Sequence, residues 1–319
     1  MHKDQTRGRM TSVSPLEPLN IHAALTTKPM PLDQVLPGLL ARTVGMLAGP
    51  GGVGKTMLEL QVAMALASGT HACGGMFKFD KPAPTVFVAA EEDVRVLTHR
   101  LHAVAHALFS QPERSGVDIA YPEFVERLHR NLRLYPGGSA ALTLVDRERH
   151  RTQRLDELVK AARDARLVLI DPMRQFHDLD ENDSSAMNAV VLALRYLAQS
   201  SGAAVVFAHH VSKAATYSGL GDVSGAARGS SALTDGVRWQ LNLSRPSKEQ
   251  AHRFGIAEDS RGGYLLLDLA KANYTAFQST GLLERQPGGV LMAVASPSGG
   301  GSVTRRSTAG QLRLAGREQ

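Results

Sequence analysis

Short apolar runs alternate with longer stretches of helical period along most of this chain. Residues 43–48, 85–90, Leu167–Asp171 and 203–208 are compact runs of β-branched and other apolar residues, and read as buried strands. Leu58, Val62 and Leu66, joined by Ala65, fall on one helix face. Leu155, Leu158, Val159 and Ala162 make a second stripe; Met187, Val190, Val191, Leu194 and Leu197 make a third. A further helix is predicted through Leu97, Leu101 and Val104. Strands that alternate with helices predict an α/β fold, its mostly parallel central sheet flanked by helices on both faces. Past Val211 the pattern changes. A run of Gly, Ala and Ser extends to about Ser231, after which residues 239–243, 264–270 and 290–294 read as strands with turns between and no clear helices. They are expected to form an antiparallel C-terminal extension of the same sheet.

The two ends differ from the middle. Residues 1–18 are polar and broken by proline, and predict a flexible leader. Residues 296–319 are rich in Gly, Ser and Arg, and carry too few apolar side chains to fold alone, which predicts a disordered basic tail. That leaves residues 19–295 as one domain. A chain of 319 residues with 43% hydrophobic content can bury one large core. Cys73 is its only cysteine, so no intramolecular disulfide forms and a reducing, cytoplasmic location is expected. Residues 1–14 lack the apolar segment of a signal peptide, and no uncharged apolar run reaches the roughly 18 residues a span requires, so no membrane partner is expected. The net charge of +6 favours contact with nucleic-acid phosphates or acidic lipid; a merely soluble basic protein is the plain alternative.

Gly49-Pro50-Gly51-Gly52-Val53-Gly54-Lys55-Thr56 matches GxxxxGK[ST] at every fixed position, between an apolar strand and a helical stripe. Glycines let such a loop turn its backbone N–H groups inward as an anion nest, and the helix that follows adds its positive dipole end. Gly49, Gly51, Gly52, Val53, Gly54, Lys55, Thr56 and Met57 are therefore the expected nucleotide-binding residues, with ATP and Mg²⁺ as cofactors. The Lys55 ammonium is expected on the β- and γ-phosphates and the Thr56 hydroxyl on Mg²⁺. Leu167–Asp171 is an apolar strand ending in an acid, at the strand end where open α/β sheets bind ligands, and Asp171 is the expected second support of Mg²⁺. Glu91, Glu92 and Asp93 follow the run 85–90. A carboxylate here can deprotonate the attacking water, with Glu91 first and Glu92 second, while the group can equally cap the helix that follows. His209 and His210 end the fourth run; His210 reads as a γ-phosphate sensor, as a surface histidine, or as part of a metal pair. A P-loop site open to a neighbouring subunit lacks cationic charge for its transition state, and Arg238 or Arg228 could supply it in trans; either could also be a solvated surface charge.

This ordered set resembles the RecA-like P-loop core, and carries no signature of a kinase, a GTPase or a classical AAA+ protein. More closely it is similar to the hexameric RepA-type replicative DNA helicases of broad-host-range plasmids. The strings that carry the resemblance are PLDQVLPGLLARTVGMLAGPGGVGKTML, FVAAEEDVRVLTHRLHA, LVLIDPMRQFH, VVFAHHVSK, AARGSSALTDGVRWQ and KANY, from about Pro31 to Val294. The resemblance implies a RecA-like ATPase and helicase domain over 19–295. It also implies a homohexameric ring with ATP between neighbours, threading of single-stranded DNA, and plasmid initiator and primase proteins as partners. Carried over by position, it makes Lys55 and Thr56 the phosphate residues, Glu91 the base, Asp171 the Mg²⁺ residue and His210 the sensor. Arg100 becomes an arginine near the site and Arg238 the trans-acting finger. Glu91-Glu92-Asp93 departs from the family's usual Glu-Asp-Pro, and the basic tail has no counterpart.

A ring's channel is lined by loops that follow strand ends. Residues 172–185 pair Arg174 with Phe176 but add four acids. Residues 213–228 place Lys213, Tyr217 and Arg228 among small residues, which suits a basic, stacking, single-strand track better. Two other functions fit the same residues: a RecA-like recombination or repair ATPase that coats DNA without unwinding it, and a signalling ATPase that ignores DNA.

Overall fold

The computed structural model describes residues 17–138, 142–211, 231–274 and 280–294. The chain divides into two compact units, Met1–Asp33 and Gln34–Gln319. The first contains one described helix, α1 (Ile21–Thr26), which buries none of its residues; Asn20 caps it by accepting from the Ala23 N–H.

The second unit holds the sheet. Its strands are β1 (Gln34–Leu36), β2 (Leu39–Leu40), β3 (Val44–Gly49), β4 (His71–Ala72), β5 (Phe77–Lys78), β6 (Thr85–Ala89), β7 (Leu132–Pro136), β8 (Leu167–Asp171), β9 (Ala204–His210), β10 (Trp239–Ser244), β11 (Tyr264–Ala272), β12 (Gly281–Arg285) and β13 (Leu291–Ala293). Its helices are α2 (Lys55–Ser68), α3 (Val94–Ser110), α4 (Pro112–Ser115), α5 (Tyr121–Asn131), α6 (Gln153–Ala161), α7 (Ser184–Ser201), α8 (Ser231–Gly236) and α9 (Lys248–Arg253). Among the described residues the main sheet has nine strands in the order β13-β12-β11-β10-β3-β9-β8-β6-β7. From β10 to β7 all neighbours run parallel, and β10 to β13 pair antiparallel, as the sequence pattern predicts.

Successive residues of a strand point to opposite faces, so a strand buried on both sides must be apolar throughout. The central strands obey this. Phe87, Leu167, Leu169 and Val206 pack on one face with α2, α3 and α5. Val86, Val88, Val168, Ile170 and Phe207 pack on the other with α6, α7 and α8. The one-faced stripe expected for α2 is wider than predicted: the helix is buried almost all round, because it lies behind the phosphate loop under α5 and beside α3.

Two short helices, α8 and α9, interrupt the C-terminal region where only strands and turns were expected. For α9 the cause is local: Ser247 and Gln250 form a capping box, each side chain bonding the other's backbone N–H. The strands β7 and β12 were not foreseen. Both are half-buried and charged, with Arg133 in one and Glu284 and Arg285 in the other. No described helix is long and apolar enough to cross a membrane.

Candidate active site

The loop after β3 forms because its backbone must turn where side chains obstruct. Gly52 and Gly54 have φ of 69° and 111°, a region that L side chains rarely enter. A Cβ on Gly49 would lie 2.5 Å from the Leu243 carbonyl oxygen of the neighbouring β10. Leu58 donates the first α2 hydrogen bond to Gly54, so the N–H groups of Lys55, Thr56 and Met57 point out of the helix end without intrahelical acceptors. Val53 and Met57 are buried, and the Val53 N–H donates to the Pro50 carbonyl at 3.4 Å, closing the loop on itself; Gly51 and Gly52 are exposed.

Lys55 is 5% exposed. Its ammonium donates to the carbonyls of Gly49 at 2.9 Å and Pro50 at 3.1 Å, and lies 3.1 Å from His210 Nδ1. Burial lowers its basicity, while Asp171, Glu59 and Glu91 act in the opposite sense. The Thr56 hydroxyl hydrogen-bonds Asp171, whose carboxyl is pushed up by burial and drawn back by Thr56 and Lys55. Parallel neighbours deliver these groups to one edge of the sheet. Asp171 ends β8, His210 ends β9, and Glu91 follows β6, all beside the loop that follows β3. Glu91, Asp171 and His210 each act on the Lys55 site through charge.

The two acids after β6 take different partners. Glu92 is paired with Arg100 of α3, and burial raises its carboxyl against that pull. Glu91 is exposed and accepts from Gln175 Nε2 at 3.2 Å. Asp93 caps α3 by accepting from the Val96 N–H at 2.9 Å, so the cap and the candidate base are separate residues. The structure therefore places Arg100 on Glu92 within its own chain. His209 and His210 cannot chelate one ion together: they are adjacent in a strand, with His209 buried and His210 exposed towards the loop. Among the described residues no cluster of three or more His, Cys, Asp or Glu could hold a metal. Thr56 and Asp171 would hold Mg²⁺ in a different way, as two oxygen donors beside a bound nucleotide. The donor set fits the ion: the Asp171 carboxyl is 5% exposed and hydrogen-bonded to the Thr56 hydroxyl, so two oxygen donors converge beside the phosphate loop.

Besides Gln175, three contributors were not read from the sequence. Glu59, one turn beyond Lys55, is 2% exposed, and among the described residues neither of its carboxylate oxygens has a hydrogen-bond partner. Burial and Asp171 push its carboxyl well above the ordinary range. Its signal was available, as an acid inside an otherwise apolar helix. Arg285 of β12 donates to the Val53 carbonyl at 2.8 Å, bracing the loop from its far side. A cleft of about 620 Å³ opens between Pro50, Gly51 and Val53 on one wall and Arg245, Lys248 and Arg261 on the other. It lies on the β10 side of the loop; its lining includes neither Asp171 nor His210, although its Gly51 lies beside the His210 ring.

Arg238 is exposed and immediately precedes β10. Trp239 pairs with Gly45 and Asn242 with Ala48 in parallel register, so Arg238 sits at the opposite end of the strands from the phosphate loop. At ~3.3 Å per residue the separation along the sheet is about 15 Å. Lys213, Tyr217 and Arg228 lie outside the described residues.

The profile of the AAA domain family matches residues 12–216, a span that includes the phosphate loop, Glu91, Asp171 and His210. The match holds although no classical AAA+ signature was expected. Among solved structures, one separately solved ATPase domain superposes with a TM-score of 0.53 at 13% identity, covering 80% of this chain and 85% of that one. A DnaB-like replicative helicase, solved with attention to its interactions with primase, gives a TM-score of 0.55 at 14% identity over 79% of this chain and 57% of its own. This chain thus spans little more than half of that helicase. What is shared is the fold, a RecA-like ATPase core.

Proposed function

The chain belongs to the AAA domain family, and from that premise we propose that it is an ATP-hydrolysing DNA helicase of the replicative, ring-forming kind. The observation that carries this reading is the split of the chemistry between the two ends of the sheet. The phosphate loop and its acids occupy one end, and Arg238 is presented to solvent at the other. If Arg238 acts on a nucleotide, that nucleotide lies on a neighbour's loop rather than on its own, and a closed ring gives every subunit such a neighbour. The likeness in fold to replicative helicase domains supports the same reading.

In this reading the nucleoside lies in the cleft beside Arg245 and Arg261, whose size suits a small ligand. The phosphates lie along the loop N–H groups, and Lys55 exchanges its carbonyl partners for phosphate oxygens. Thr56 and Asp171 would hold Mg²⁺, which would offset charge on the β- and γ-phosphates. Glu91 takes the proton from the attacking water, and His210 registers the state of the γ-phosphate through Lys55. Single-stranded DNA passes through the ring against the segment 213–228, with Lys213, Tyr217 and Arg228 as its contacts. Initiator and primase proteins of a plasmid replicon are the expected partners, in the cytoplasm.

Purified protein with ATP, Mg²⁺ and single-stranded DNA should form closed rings in electron micrographs and unwind a forked duplex directionally. Filaments without unwinding would replace the helicase by a recombination ATPase. Hydrolysis indifferent to DNA would replace both by a signalling ATPase.

A further inference from the structure

The candidate base is held by a residue from another strand end. Gln175 lies on the 3-10 turn Met173–Phe176 that follows β8, and its Nε2 reaches across to Glu91 Oε1, 3.2 Å away, at the end of β6. The turn is fixed from below and from the side. Met173 and Phe176 are 1% and 2% exposed and sit in the core under the sheet end. The Gln175 N–H donates to the Pro172 carbonyl at 3.1 Å, and Arg174 Nη1 donates to the His177 carbonyl at 2.9 Å. His177 then anchors the next residues, its Nδ1 accepting from the Leu179 N–H at 3.2 Å. A turn anchored by its buried flanks therefore presents the exposed Gln175 amide to an exposed carboxylate.

We propose that Gln175 is the positioning residue for the base: its amide holds one oxygen of Glu91 so that the other faces the attacking water. The inference rests on the reading of Glu91 as base. A general base works only within hydrogen-bond reach and in the right orientation, and an exposed glutamate left alone samples several rotamers. The donor type matters. A guanidinium such as Arg100 on Glu92 occupies the carboxylate with a charged partner and pulls against proton uptake, although burial prevails there and raises the Glu92 carboxyl. A neutral amide orients the carboxylate with far less of that pull. The two acids differ by geometry: Glu92 is engaged in an ion pair with Arg100, and Glu91 is exposed and held only by an amide.

The test is a double-mutant cycle in the full chain. Q175M keeps side-chain length and removes the donor; Q175A is a second variant should the first perturb folding. Either is expected to lower kcat for nucleotide hydrolysis by roughly tenfold, the scale of a modest misplacement of a reacting group, with KM and the affinity for a fluorescent ADP analogue within about twofold of the parent. In an E91Q background, where hydrolysis is already slow, Q175M should change the residual rate by less than about twofold, because the two residues act as one unit. A purely structural role for Gln175 predicts the same fractional loss in both backgrounds. That result, or a kcat within about twofold in the parent background, overturns the proposal while E91Q's own loss leaves the base assigned. Parental hydrolysis by E91Q overturns the base itself, and the proposal with it.

Discussion

Lys55 Nζ and His210 Nδ1 lie 3.1 Å apart. An ammonium has only donors, so the imidazole accepts on Nδ1 and is neutral, with its proton on Nε2. Burial first, and then the charge of Lys55, depress the imidazole's basicity, against the opposing pull of Glu91, Asp171 and Glu181. The free protein thus holds its candidate sensor against the group that must move to meet phosphate. When nucleotide draws Lys55 onto its own oxygens, His210 loses a cationic neighbour and gains an anionic one. Its titration midpoint should lie below 6.5 in the free protein and rise on addition of a non-hydrolysable nucleotide. NMR of ring-labelled histidine, with the resonance assigned by His210→Gln, measures this. A midpoint unmoved by nucleotide would disconnect His210 from the phosphate site.

Glu91→Gln and Glu92→Gln should separate chemistry from structure. Glu91 is exposed and held by an amide, so its amide variant should fold and bind nucleotide normally while turnover falls by roughly 10²-fold or more, the scale of a general base. Glu92 is mostly buried and paired with Arg100. Its glutamine variant leaves the guanidinium without an anion, and should lower Tm with a smaller loss of turnover. Stopped-flow hydrolysis beside thermal melts decides the case. A larger rate loss from Glu92→Gln would transfer the role of base to it.

Glu59 should make the fold sensitive to rising pH. Its native carboxyl is held protonated well above the ordinary value of 4.5, by burial first and then by Asp171. Above that value the unfolded chain has released the proton while the native state keeps it. The native state then binds more protons, and stability falls as pH rises until the native group also ionises. Glu59→Gln removes this titration. The variant and parent should melt alike near pH 4.5, with the variant gaining an advantage that widens as pH rises above it. Denaturant melts at several pH values measure it, and an advantage that shrinks with rising pH would contradict a neutral Glu59.

The parallel strands were legible because burial on both faces leaves an almost unbroken apolar run, as in Leu167–Asp171. The edge strand Leu132–Pro136 was not, since one exposed side lets Arg133 and Tyr135 dilute the pattern. The phosphate loop was legible because its glycines answer a backbone demand local in sequence. Asp171 and His210 followed from the rule that strand ends face the ligand. Gln175 and Arg285 could not follow from any such rule. Gln175 meets Glu91 only because β8 and β6 are paired, 84 residues apart in sequence. Arg285 reaches Val53 across 232 residues, through an antiparallel extension whose register no local pattern determines.

Arg238 tests the ring and the chemistry together. The parallel pairing of Trp239 with Gly45 puts this exposed arginine at the end of the sheet remote from its own phosphate loop. If it completes a neighbour's site, an Arg238→Ala subunit keeps a working loop but disables the adjacent one. A Lys55→Ala subunit has the reverse lesion: its loop loses the buried ammonium, while its arginine still serves the neighbour. Pure rings of either variant should hydrolyse nucleotide poorly, with a loss of about 10³-fold for Arg238→Ala by the scale of arginine fingers. Mixed rings place some intact loops beside intact arginines, so DNA-stimulated hydrolysis should recover at intermediate ratios and peak near equal mixing. Recovery is impossible if Arg238 acts within its own chain, because every subunit then carries one fatal lesion. Lys271 is a rival cation at that end, paired in register with Gln240, yet its ammonium already donates to the Thr234 carbonyl at 2.8 Å. A milder loss in pure Arg238→Ala rings would mean that Lys271 leaves that carbonyl to share the role, and an Arg238→Ala, Lys271→Ala double variant would then complete the loss. Activity flat at background across all ratios, with mixed rings verified by native mass spectrometry, would refute action in trans.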